Sequence, residues 1–132
     1  MTGRQNKSRT RTRKTEPVGI ETVREIALAL PGVEEGLSSG CPTFRVRGKI
    51  VAKLHRDGDS LLIKIDYLKR DILTNADPET FYVTDFYSCY PMVFVRLARV
   101  SRDVLRDLLV AAWRIEAPKR LVETYEGLKT DV

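Results

Sequence analysis

The stretch that most constrains the fold of this chain runs from Pro42 to Asp66, where apolar and polar residues alternate with a period of two through three consecutive segments. That period puts one face of each segment in a core and the other in water, which is the signature of β-strands. Phe44 and Val46 alternate with Arg45 and Arg47, and a Gly48-Lys49 turn follows. Ile50, Ala52 and Leu54 then alternate with Val51, Lys53 and His55. After an Asp57-Gly58-Asp59 turn, Leu61, Ile63 and Ile65 continue the apolar face, with Leu62 and Lys64 opposite. Between Thr43 and Arg56 there are five Lys or Arg and no acid, so the outward face of this meander is basic.

Helical periodicity flanks the meander. Ile20, Val23, Ile26, Ala27 and Leu30 share one face of a helix over about 20–30, stopped by Pro31-Gly32. Residues 33–40 read as a loop, and Pro42 can open the first strand because a strand's first residue need not donate to the ladder. Asp66 is placed to cap a helix over 67–75 whose buried side is Leu68, Ile72 and Leu73. A fourth strand is expected at 81–84 with Phe81 and Val83 inward. The connection through Asp85, Phe86, Tyr87, Cys89 and Tyr90 is irregular and aromatic. A fifth strand at 92–100 puts Val93, Val95 and Leu97 on one face, with Phe94 and Arg96 on the other. Ser101 caps a long helix whose stripe is Leu105, Leu108, Leu109, Ala112, Trp113 and Ile115, so it crosses the sheet. Pro118 opens a short helix carrying Leu121, Val122 and Tyr125 and ending at Gly127.

The order is helix, three strands, helix, two strands, helix with an appendage. This predicts a two-layer α+β domain, a five-stranded antiparallel sheet with the helices on one face. A chain of 132 residues fits one such domain. No apolar run approaches the ~20 residues of a membrane-spanning helix, and no signal-peptide core is visible, so a cytoplasmic protein without membrane partners is expected.

The formal charge of +5 is unevenly placed. Residues 1–17 hold six basic residues against Glu16, leaving 17 of the 23 basic and 17 of the 18 acidic residues to a formally neutral body over 18–132. The first segment has no large apolar residue after Met1 and is expected to be a disordered basic arm. Any electrostatic function of the body must therefore come from distribution over a face.

Alternation sends Arg45, Arg47, Lys53, His55 and Lys64 to one sheet face, with Lys49 in the adjoining turn and Tyr82, Phe94 and Arg96 sharing that side. Cations contact phosphates and aromatic rings stack on unpaired bases, so this combination suits nucleic acid. A face carrying Tyr82, Phe86, Tyr87, Tyr90 and Phe94 equally suits a protein partner, a second copy of the chain, or an acidic small ligand. Catalysis is not expected. His55 is the single histidine and lies on a solvated strand face. Cys41 and Cys89 stand 48 residues apart, without metal-ligand spacing, and read as two unpaired thiols. Asp57-Gly58-Asp59 lacks the distal Glu of a calcium loop, Leu68 standing there, and reads as a hairpin turn. There is no phosphate-binding glycine loop, and no cofactor is expected.

The run from Ala27 to Glu34 (Ala-Leu-Ala-Leu-Pro-Gly-Val-Glu), the Pro42-Thr43-Phe44-Arg45-Val46-Arg47-Gly48-Lys49 strand entry, Leu62-Ile63-Lys64, Ala112-Trp113-Arg114 and Ala117-Pro118-Lys119-Arg120 resemble the MmcQ/YjbR family of small bacterial proteins over roughly residues 20–126. The resemblance implies a five-stranded two-layer domain similar to secretion-chaperone-like and CyaY-like folds. It also implies DNA binding through hairpins arranged as a double wing. The chain departs from that family's Trp-Gly-His before Pro-Thr-Phe, carrying Ser39-Gly40-Cys41 instead.

Overall fold

A computed structural model describes residues 17–130. The basic arm expected over 1–17 lies, except for Pro17, outside the described residues. The elements in chain order are α1 (Ile20–Ala27), β1 (Val33–Ser38), β2 (Cys41–Val46), β3 (Lys49–Leu54), β4 (Ser60–Lys64), α2 (Tyr67–Ala76), β5 (Phe81–Tyr82), β6 (Met92–Arg96), α3 (Arg102–Glu116) and α4 (Lys119–Thr130). The class is α+β with an antiparallel sheet, as expected, but the sheet has six strands, in the order β1-β2-β3-β4-β6-β5.

The extra strand is β1, in the segment expected to be loop. Val33 to Ser38 pairs with β2 in full register, from Val33 opposite Val46 to Ser38 opposite Cys41. Its sequence, Val-Glu-Glu-Gly-Leu-Ser, has little intrinsic strand preference. Its partner and a two-residue turn impose the conformation instead. Ser39 (φ 53°) and Gly40 (φ 79°) both adopt the left-handed region, the geometry that matches the twist of a tight hairpin. The same turn recurs between β2 and β3 at Arg47 (φ 55°) and Gly48 (φ 83°), one residue earlier than expected. As an edge strand, β1 carries Glu34 and Glu35, charges that discourage pairing with another chain.

Beyond the second turn the register slips. Phe44 faces Ala52 but Arg45 faces Ile50, so β3 holds one extra residue, a bulge at Val51. Val51 and Ala52 are both fully buried in the main core, whereas Ile50 is displaced from the apolar face on which alternation had placed it.

The main core lies between one sheet face and the helices α1, α3 and α4. Val23, Ile26 and Ala27 meet Leu105, Leu108, Leu109, Ala112 and Trp113 over Phe44, Val46, Val51, Leu61, Ile63, Val93 and Val95. Ile115, expected in that stripe, is exposed. Ser101 caps α3 by accepting from the Val104 N–H, and Asp66 caps α2 by accepting from the Lys69 N–H. The helix α4 continues past Gly127, which had been expected to end it.

Leu30-Pro31-Gly32 is where α3 and α4 seize the chain as it enters the sheet. The Trp113 indole N–H donates to the Pro31 carbonyl at 2.8 Å, satisfying the one polar atom of a fully buried ring. Gly32 sits at φ 78°, and a Cβ there would fall 2.6 Å from Leu121 Cδ1. Only glycine meets both demands.

The helix α2 behaves unlike the amphipathic helix its sequence suggests. Leu68 and Ile72, expected inside, are 72% and 58% exposed; of the three residues expected there only Leu73 packs against the main core, and the buried residue is Arg70. This helix docks through its guanidinium onto backbone carbonyls of the segment 84–91.

Candidate nucleic-acid interface

The segment 84–91 folds back over the sheet face opposite the main core, so that face is only partly open. Leu62, Met92 and Phe94 form a second buried cluster there, joined by Tyr82 and Tyr87. Register explains the grouping, since Leu62 pairs with Phe94 and Lys64 with Met92 across β4 and β6, and Lys53 pairs with Leu62 across β3 and β4. Arg70 holds the covering segment by donating to the carbonyls of Tyr90 at 2.8 Å and Ser88 at 3.0 Å. Longer bonds run to Met92 and Tyr87.

Rings and cations form a continuous array. The Arg96 guanidinium lies 4.1 Å over the Tyr82 ring, and Tyr82 stacks on Phe94 at 5.0 Å. Phe94 meets His55 edge-on at 5.1 Å and Tyr87 at 5.4 Å, and Tyr87 in turn meets Phe86 at 4.9 Å. The Tyr82 hydroxyl donates to Ser60 Oγ at 2.8 Å.

At one end of this array lies a cavity of about 540 Å³. Leu62, Phe94, Tyr87 and Phe86 make its apolar wall, and Lys53, His55 and Arg56 bring cationic and imidazole groups to its lining. Ser39, Cys41 and Thr84 complete it with small polar groups. A larger hollow of about 950 Å³ on the other side of Tyr82 mixes Asp57 and Asp59 with Arg96 and Arg99. Arg99 is paired there with Glu79, and Arg96 donates to the Glu79 carbonyl at 2.9 Å, so that hollow has no uniform sign.

The residues singled out in the sequence separate into three groups. Lys53, His55, Phe94 and Tyr87 converge on the smaller cavity. Arg45 extends the same face along β2, its guanidinium close above Gly36 of the edge strand, while Arg47 occupies the hairpin turn and Lys49 is exposed beside it. Lys49 faces Val46, a core residue, and so lies off the Arg45–Lys53 face. The others are engaged elsewhere. Lys64 Nζ is 2.9 Å from Glu116 of α3, Arg96 is held by Tyr82 and backbone carbonyls, and Tyr90 is half exposed outside the cavity. Phe94, expected to offer a stacking surface, is 1% exposed and cannot do so. The exposed ring at the cavity is Phe86, at 68%.

Arg56, Ser39, Cys41 and Thr84 were not recognised as lining residues in the sequence. Arg56 adjoins His55 in the basic run and was legible as charge. The other three depend on two turns meeting in space, for which the sequence carries no local signal.

Among the described residues, carboxylates pair with Arg24, Lys64, Arg99, Arg102, Arg106 and Arg114. The Arg24 Nε–H donates to both carboxylate oxygens of Glu35 at 2.9 Å, which raises the Arg24 pKa above its ordinary value and ties α1 to the edge strand. Among the described residues, no such ion pair is made by Arg45, Arg47, Lys49, Lys53 or Arg56. Both thiols are free, Cys41 half-buried and Cys89 exposed. Among the described residues no cluster of three His, Cys, Asp or Glu could hold a metal ion, and no helix is long and apolar enough to cross a membrane.

Comparison with known proteins places this architecture. The crystal structure of the Deinococcus radiodurans protein DR2400, of domain DUF419, matches with a TM-score of 0.68 over 80% of this chain and 83% of that one. At 20% identity, this likeness is one of fold. A stretch of 49 residues is 37% identical to the uncharacterized protein Rv2570 of Mycobacterium tuberculosis and to the uncharacterized protein Mb2600 of Mycobacterium bovis. The match spans 37% of this chain and only 38% of the length of those relatives. The YjbR family model matches residues 28–115, from the end of α1 through nearly all of α3, and on that match the chain belongs to the YjbR family.

Proposed function

We propose that this protein binds nucleic acid weakly and with little sequence preference, through the β2–β3 hairpin and the cavity beside it, and without catalysing a reaction. The observation that carries the reading is the contrast in ion pairing. Six cations elsewhere pair with carboxylates and Arg70 and Arg96 are held on backbone carbonyls, whereas Arg45, Arg47, Lys49, Lys53 and Arg56, gathered along one hairpin, form no ion pair among the described residues; Lys69, Lys119 and Arg120 form none either but lie apart on helices. Free cations clustered on one element attract a polyanion and release its counterions, which gives affinity without base readout. The free thiols accord with a reducing, cytoplasmic setting.

The test is fluorescence anisotropy of labelled DNA titrated with the full chain across a salt series, beside an Arg45→Ala, Arg47→Asn, Lys53→Ala variant. Micromolar affinity falling with log salt at a slope of roughly −4 is expected, flattened in the variant. Affinity that survives the triple replacement transfers binding to the basic residues before Pro17 and overturns the reading.

One observation favours a second reading, in which the protein docks a protein partner or a second copy of itself. Tyr67, Leu68 and Ile72 of α2 are exposed large apolar residues at helical spacing. Such an interface would respond little to salt, and light scattering of the purified chain would report self-association directly.

A further inference from the structure

We infer that the cavity between the β3–β4 turn and the segment 84–91 takes one unstacked nucleobase, so that the protein prefers single-stranded nucleic acid to duplex. The inference rests on the nucleic-acid reading above and specifies what the cavity adds to it. Three features of the site point to this ligand. The first is size and recess. At about 540 Å³ the cavity falls among pockets that hold small organic groups, and its floor of Leu62 and Phe94 is buried, at 4% and 1% exposure. A base paired within a duplex presents only its edge and cannot reach such a floor, whereas an unpaired base can enter.

The second feature is Phe86. A phenylalanine ring 68% exposed on a loop loses hydrophobic stabilisation by standing in water, yet this one is held upright by edge contact with Tyr87 at 4.9 Å and stacking with Tyr90 at 5.7 Å. The Tyr87–Tyr90 segment is itself fixed by Arg70. The result is a pre-positioned aromatic plane at the cavity wall, which is what base stacking requires and which every base can use.

The third is charge. Lys53 and Arg56 line the cavity and Arg45 lies further along the same face, roughly 7 Å per pair of residues along β2. Phosphates flanking an inserted base would therefore meet cations as the strand leaves the cavity toward the hairpin. A neutral aromatic ligand would leave these cations unused, and a duplex would leave Phe86 unused.

The test compares three labelled probes of equal length at one low salt concentration: oligothymidylate, the same backbone with abasic sites, and a duplex. Each is titrated with the full chain and with Phe86→Ala and Phe86→Tyr. The inference expects oligothymidylate to bind about tenfold more tightly than the abasic strand. It expects Phe86→Ala to remove that margin, lowering oligothymidylate affinity more than duplex affinity, and Phe86→Tyr to retain it. Equal affinity for oligothymidylate and the abasic strand overturns the inference and leaves the hairpin reading standing. Failure of the wild-type chain to bind any probe overturns both. An independent measurement uses Cys41, which lines the cavity while Cys89 does not. Oligothymidylate is expected to slow alkylation of Cys41, read by peptide mass, more than that of Cys89, and equal rates with and without the strand count against occupancy.

Discussion

The guanidinium of Arg70 donates to the carbonyl oxygen of Tyr90 across 2.8 Å, and with its three further carbonyl partners it joins α2 to the segment that walls the candidate site. An arginine reaches four carbonyls because its donors fan out in a plane, which a lysine ammonium cannot reproduce.

Arg70→Met is therefore expected to lower stability by about 1–2 kcal/mol, since four carbonyls, three of them partly buried, lose a charged donor. Arg70→Lys should recover only part of that loss. Urea unfolding checks the stability, and the same variants should lose the preference for single strands, because Phe86 is no longer held.

Gly32 presents two separable demands. Gly32→Ala places a methyl group against Leu121 Cδ1 and keeps a left-handed backbone that alanine disfavours. A loss of about 2–3 kcal/mol is expected. In a Leu121→Ala background most of the steric part should disappear, leaving the close approach of Val46 Cγ2 at 3.3 Å and about 1 kcal/mol of backbone cost. A double-mutant cycle by chemical denaturation measures the split.

Lys64 distinguishes stability from binding. Its pairing with Glu116 is half-buried, side chains 23% and 14% exposed, so Lys64→Ala should cost about 1–2 kcal/mol, between the values of exposed and buried pairs. Nucleic-acid affinity and salt slope should stay unchanged. A drop in affinity at constant stability would restore Lys64 to the interface.

Arg47 tests the converse. Asparagine tolerates the left-handed conformation of the turn, so Arg47→Asn should leave stability within about 0.5 kcal/mol while reducing the salt slope by roughly one phosphate contact. Arg47→Val should destabilise the hairpin, because a β-branched residue fits that conformation poorly. Comparing the two variants by thermal unfolding and salt-dependent anisotropy separates the role of the charge from that of the turn.

Much of the fold was legible. Strict alternation announced β2, β4 and β6, helical periodicity announced α1 and α3, and Asp66 and Ser101 cap where their positions suggested. The strand β1 was missed because two glutamates and a glycine mask its alternation, although Ser39-Gly40 ahead of a strand is a hairpin signal. The bulge at Val51 was missed because a one-residue register slip leaves no mark on composition. The candidate site was half legible. Lys53 and His55 were placed by alternation, while Phe94 was assigned to the right face but with the wrong exposure.

Short-range pattern was enough to set which face most strand residues take and where the helices begin, because both depend on local periodicity and backbone chemistry. It also determined that the first hairpin would be basic. Tertiary structure alone decided which basic residues of the sheet remain free, since Glu116 reaches Lys64 only when α3 crosses the sheet. It alone decided that Arg70 and not Leu68 or Ile72 is buried, and that 84–91 covers Phe94 and presents Phe86. These outcomes depend on groups far apart in the chain, whose meeting is set by packing of the whole domain and not by any local pattern.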